Sequence, residues 1–154
     1  MSKQAADVER VARAAADFGA AADDVDAATA VALGVNRTDL RLLGLVHHAG
    51  SLSAGALAAT AGLSPVATTT AVQRLAAAGY LLREIDPADR RRTVLTVTGP
   101  AAGLIARAYG PVADEGRREL AGYPPAELAV IERFLRAGID LQRRHAARIR
   151  TLTP

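Results

Sequence analysis

The chain contains no cysteine and no tryptophan, and aromatic residues make up only 3% of it. Without cysteine there can be no disulfide, no thiol-based oxidation sensor and no cysteine-ligated zinc. No stretch approaches the roughly 20 consecutive apolar residues of a membrane-spanning helix. The first residues place Asp7, Glu9, Arg10 and Arg13 among alanines and lack the apolar run of a signal peptide. The expectation is a cytoplasmic protein with no membrane partner. Enzyme signatures are missing as well: there is no G-x-S-x-G, no glycine-rich phosphate loop and no H-E-x-x-H. Asp86 and Asp89 lie in a turn beside arginines, which suits orientation of cations rather than catalysis. No catalytic residue and no cofactor is expected. His47 and His48 are adjacent, so they point in different directions, and no close carboxylate joins them; a metal site is not expected either.

What is present is apolar, helical and mildly basic. Half of the 154 residues are apolar, mostly Ala and Leu, which favours closely packed helices in a domain of ordinary size. The formal charge is +3 and the isoelectric point about 9.9, compatible with a nucleic acid but not diagnostic of one. Lys3 is the only lysine, so nearly every cation is an arginine, the residue that pairs bidentately with phosphate and guanine.

Periodicity divides the chain into helices separated by glycine and proline. Gln4 to Leu33 reads as one long Ala-rich helix with Val8, Val11, Ala15 and Phe18 on one face, and Gly19 marks a bend. A stripe of this length exceeds what so small a central domain can cover, which points to a partner chain. Asn36 caps a second helix, with Asp39 at its third position, and His47 and His48 close it. Ser53 caps a short helix from Ala54 to Ala61, ended by Gly62. Downstream, Gly99-Pro100 opens a helix that Pro111 should kink without ending. Gly122-Tyr123-Pro124-Pro125 breaks the chain before a last helix reaching about Arg150. Leu128, Ile131, Phe134, Leu135 and Ile139 are expected to form the buried stripe of that helix.

The most informative stretch runs from Leu63 to Thr98. Ser64 can cap a helix and Pro65 suits its first position. Thr68, Ala71, Val72 and Leu75 follow i, i+3, i+4, i+7 spacing and should face inward, leaving Thr69, Thr70, Gln73 and Arg74 outside. Small hydroxyls and an amide near a helix start, with a cation one turn on, suit base edges and phosphates in a major groove. Tyr80 to Asp86 and Thr93 to Thr98 are rich in β-formers and flank a turn containing Pro87 and Asp89. Arg90, Arg91 and Arg92 cluster at the tip of that hairpin, where like charges repel unless an anion is near. An arginine so placed can enter a narrow minor groove.

The pattern Asp86-Pro87-x-Asp89-Arg90-Arg91 followed by Leu95-Thr96-Val97-Thr98 resembles the wing of MarR-type regulators, and Gly50 to Leu82 resembles their helix-turn-helix. The resemblance covers roughly Leu33 to Gly103. It implies a mainly α fold with a small β-hairpin wing: a winged helix-turn-helix over residues 34–100, with N- and C-terminal helices, 1–33 and 101–154, forming a dimerisation lobe. It also implies a homodimeric transcription regulator, by family default a repressor, that binds a pseudo-palindromic duplex and is often released by a small-molecule effector. Ser64, Pro65, Thr69, Thr70, Gln73, Arg74, Arg90, Arg91 and Arg92 would contact DNA, with Asp89 orienting the wing arginines. His47 and His48 would lie near the effector pocket. Many relatives carry Arg where this chain has Thr70, so a strong guanine contact is expected to be missing. The competing reading is a winged helix used for protein interaction without DNA binding, which would not need three arginines at the tip.

Overall fold

Local capping chemistry sets the helix boundaries. Ser2, Asn36, Ser53 and Ser64 each accept a hydrogen bond from a backbone N–H three residues on, at 2.8–3.2 Å. Gly34 and Gly62 end their helices at φ +66°, a left-handed conformation that costs a residue with a Cβ about 1 kcal/mol or more. The computed structural model describes residues 2–86, 89–90 and 92–152. Its elements are α1 (Lys3–Leu33), α2 (Arg37–Ala49), β1 (Ser51–Leu52), α3 (Ala54–Ala61), α4 (Pro65–Ala77), β2 (Leu81–Ile85), β3 (Thr93–Val97), α5 (Gly99–Leu120) and α6 (Pro125–Arg150). The architecture is therefore mainly α with a small antiparallel sheet, as expected. Helix α1 continues unbroken through Gly19, and α5 through Pro111.

The sheet has the order β1-β3-β2. Strands β2 and β3 form the hairpin, with Leu81 opposite Val97 and Ile85 opposite Thr93. The two-residue β1, which the residue pattern does not announce, pairs Ser51 with Thr96 and Leu52 with Leu95. It fastens the start of the helix-turn-helix to the wing.

The chain forms two compact units, residues 1–108 and 109–154. The first holds the core. Leu42, Leu43 and Val46 of α2 are buried, as are Leu57 of α3, Ala71, Val72 and Leu75 of α4, Leu81 and Leu95 of the sheet, and Ala101 of α5. Of α1, only Thr29, Ala30 and Leu33 in its last turns are buried. The hydroxyl of Tyr80 donates to the carbonyl of Leu33 at 2.6 Å, tying the end of α1 to the start of β2. Thr98 does similar work: its hydroxyl donates to the Gly79 carbonyl at 2.8 Å and accepts from the Ala101 N–H at 3.2 Å, which caps α5.

In the second unit no residue of α6 is buried. This corrects the expectation for its stripe: Phe134 is 47% exposed and Ile139 49%, and Leu135 is equally open. The periodicity is right, but the described residues cover only about half of each of these side chains, and Leu128 and Ile131 are half-buried. A shallow apolar groove, lined by Leu120, Leu128, Ile131, Leu135 and Ile139, follows the same face.

Candidate nucleic-acid interface

Helix α4 is positioned by its inward residues. Thr68, Ala71, Val72 and Leu75 are almost fully buried. The Thr68 hydroxyl donates to the Ser64 carbonyl at 3.0 Å, so its polar atom enters the core satisfied. The opposite side is open: Ser64, Pro65, Val66, Thr69, Thr70, Gln73 and Arg74 are all exposed. The sequence-expected residues Thr69, Thr70 and Gln73 thus share one exposed face.

The outward groups are not chemically equivalent. Thr70 donates its hydroxyl proton to the Val66 carbonyl at 3.0 Å, so its oxygen is left as an acceptor. Thr69, beside it, is exposed on the same face.

Arg74 is committed elsewhere. Its Nε donates to Asp39 Oδ2 at 2.9 Å and its Nη2 to Asp39 Oδ1 at 2.7 Å, a bidentate pair joining α4 to α2. Asp39 is only 3% exposed. It also accepts from Asn36 Nδ2 at 3.0 Å, while its own N–H donates to Asn36 Oδ1 at 2.8 Å. The bonds to Asp39 raise the Arg74 pKa above its ordinary value, outweighing partial burial. A carboxylate so buried requires a paired cation. Arg74, expected from the sequence to face a phosphate, neutralises the charge beneath its own helix while half of its side chain stays exposed. Asp39 could be read beforehand only as a capping residue, since 35 positions separate the partners.

The wing begins immediately after α4. Gly79, at φ +75°, turns the chain into β2. At the far end the Asp86 N–H donates to the Arg92 carbonyl at 2.9 Å, and the Arg92 N–H donates to the Asp89 carbonyl at 2.9 Å. These bonds hold Asp89, Arg90 and Arg92 at the hairpin tip, all exposed. Arg91, expected to enter the minor groove, lies outside the described residues. His47 and His48 are exposed at the end of α2. Among the described residues, no group of three or more His, Asp or Glu is placed to hold a metal ion, and no helix is long and apolar enough to cross a membrane.

Sequence and fold comparisons agree with this arrangement. The MarR family pattern matches residues 33–92, from the end of α1 through β2 to the start of β3. The uncharacterised HTH-type transcriptional regulator YcgE of Bacillus subtilis is 33% identical over 123 residues, spanning 80% of each chain. Among solved structures, RV1404 from Mycobacterium tuberculosis superposes with a TM-score of 0.66 at 21% identity, covering 86% of this chain and 92% of that one. Apo MarR from E. coli gives 0.56 at 19% identity, covering 82% and 94%. The transcriptional regulator BldR from Sulfolobus solfataricus gives 0.55 at 18% identity, covering 94% and 99%.

Proposed function

This chain belongs to the MarR family of transcriptional regulators, and on that basis we propose that it is a sequence-specific DNA-binding regulator acting as a homodimer. One observation carries the reading: a side-chain-capped helix, anchored by a buried inner face, exposes Thr69, Thr70 and Gln73 directly ahead of a hairpin whose tip carries arginines. Two such helices about one duplex turn apart, roughly 34 Å, would each read a half-site in the major groove. Arg90 and Arg92 meet flanking phosphates, and Arg91 enters the minor groove beside the half-site. Arg74 serves the interface from behind by holding α4 on α2.

Dimerisation supplies the missing cover for the terminal helices. Val8, Val11 and Phe18 of α1 and Val130, Phe134 and Ile139 of α6 are exposed large apolar residues. Rows of this kind on single helices mark association surfaces more than isolated exposed side chains do. The dimer acts as a repressor by occupying promoter DNA. A small molecule that binds a different helix spacing more tightly would release it by population shift.

Selection of bound sequences from a random duplex pool tests the reading. The expected product is a pseudo-palindrome with half-sites one turn apart, bound more weakly as salt rises. Arg91→Ala should weaken that complex by about 1–3 kcal/mol without altering the oligomeric state. Retention of full affinity in this variant would remove the wing from the interface, and a chain that enriches no sequence would leave the protein-interaction reading in its place.

A further inference from the structure

The outermost line of α4 is not purely polar. Val66, Thr70 and Gln73 follow i, i+4, i+7 spacing opposite the buried Thr68, Ala71, Val72 and Leu75. Val66 is 76% exposed, although it sits within the first turn of a helix whose other face is tightly packed. A valine gains nothing from water, and its neighbours on this stripe are short on hydrogen-bond donors. Thr70 has given its proton to the Val66 carbonyl, which leaves a methyl group and an acceptor oxygen. Arg74, the one cation on the helix, is bound to Asp39. Gln73 is then the remaining side-chain donor on this line, and its amide matches the N6 and N7 edge of adenine.

We infer that Val66 reads the C5-methyl group of a pyrimidine in each half-site. The inference rests on the DNA-binding reading above and deepens it. In the major groove thymine is distinguished from cytosine partly by that methyl group, and apolar side chains recognise it by contact. Residues in the first turn of a recognition helix are those that reach base edges. Val66 meets both conditions, and the Thr70 methyl extends the same apolar strip. The base step beneath the helix is accordingly A·T, with Gln73 on adenine and Val66 on thymine. A 5-methylcytosine carries the same methyl group, so the experiment must separate the two sources.

The test uses the full chain and the duplex selected from the random pool, with affinity measured by fluorescence anisotropy at fixed salt. Each thymine is replaced in turn by deoxyuridine, which removes the methyl and leaves pairing intact. One position per half-site should weaken binding about fourfold on losing its methyl. Val66→Ala, at an exposed site and so folded as before, should bind the thymine and uracil duplexes equally. At the same position, 5-methylcytosine should bind more tightly than cytosine but less tightly than thymine, because the rest of that base pair differs. Equal affinity for 5-methylcytosine and cytosine would overturn the contact, as would a thymine-to-uracil ratio that Val66→Ala leaves unchanged. Thr70→Val should keep the thymine-to-uracil ratio even where it lowers overall affinity; a ratio that collapses there would move the discrimination from Val66 to the Thr70 hydroxyl. Enrichment of duplexes that tolerate uracil at every position would defeat this inference alone. Enrichment of no duplex would instead defeat DNA binding itself.

Discussion

Helices α4 and α6 carry comparable apolar spacing and meet opposite fates. The 13 residues of α4 bury Thr68, Ala71, Val72 and Leu75, whereas the 26 residues of α6 bury none. Helix α4 is enclosed because α3 precedes it across a tight turn, α2 lies beneath it and β2 follows it. Each neighbour supplies a complementary apolar surface within a few residues of chain. Helix α6 follows a four-residue break after α5 and presents Phe134, Leu135 and Ile139 to solvent. A periodic stripe therefore specifies that a face needs cover without saying which surface provides it. The α4 stripe finds its cover within its own unit, and the α6 stripe stays open among the described residues.

The sharpest way to break this contrast is to charge the open face of α6. Covering a large apolar side chain stabilises by about 1.5–3 kcal/mol, so Phe134→Asp with Ile139→Asp should convert the homodimer to monomer at micromolar concentration. Sedimentation equilibrium reads the mass directly, and circular dichroism should show the winged unit still folded. A dimer that survives both charges would place the interface elsewhere. The opposite experiment attacks the enclosed face. Leu75→Ala removes a buried side chain from α4 and should destabilise the first unit by about 2–5 kcal/mol in urea unfolding, leaving a cavity that the neighbours fill only in part. The same change at Leu141, exposed on α6, should have little effect on the isolated protomer.

A smaller effect sharpens the role of Arg74. If this guanidinium holds α4 on α2, Arg74→Gln and Asp39→Asn should each weaken DNA binding by a similar factor, and the double variant should lose little more than either alone. The slope of log affinity against log salt should stay unchanged, since no phosphate contact has been removed. A phosphate-binding Arg74 behaves differently: its loss lowers the slope by about one, and Asp39→Asn then leaves binding intact or improves it. The melting temperature of each variant should fall by about 5 °C, because a buried carboxylate or its amide keeps only the Asn36 bond.

Much of the fold is readable residue by residue because its signals are local. A Ser64 side chain accepting from the N–H three positions on, a proline at the first helical position and a glycine at positive φ act within one turn of chain. Hence α1 through α6 begin and end within a residue or so of where capping and periodicity put them. The strand β1 escapes such reading because two residues carry no periodicity; Ser51 and Leu52 become a strand only where β3 offers a free edge. Of the exposed face of α4, Thr69, Thr70 and Gln73 are legible as the complement of an inward stripe. Val66 is not, because an apolar residue in a helical pattern looks like core until its exposure is seen.

The amino-acid order thus decides where each helix starts, where it stops and which of its sides is oily, since caps, turns and spacing depend on neighbours a few positions away. It does not decide which oily sides find cover within one chain, nor that Arg74 pairs with a carboxylate on α2. Those outcomes belong to the folded arrangement. Burying Asp39 between α2 and α4 creates a charge that must be neutralised where it lies, and no shorter-range rule knows that it is there.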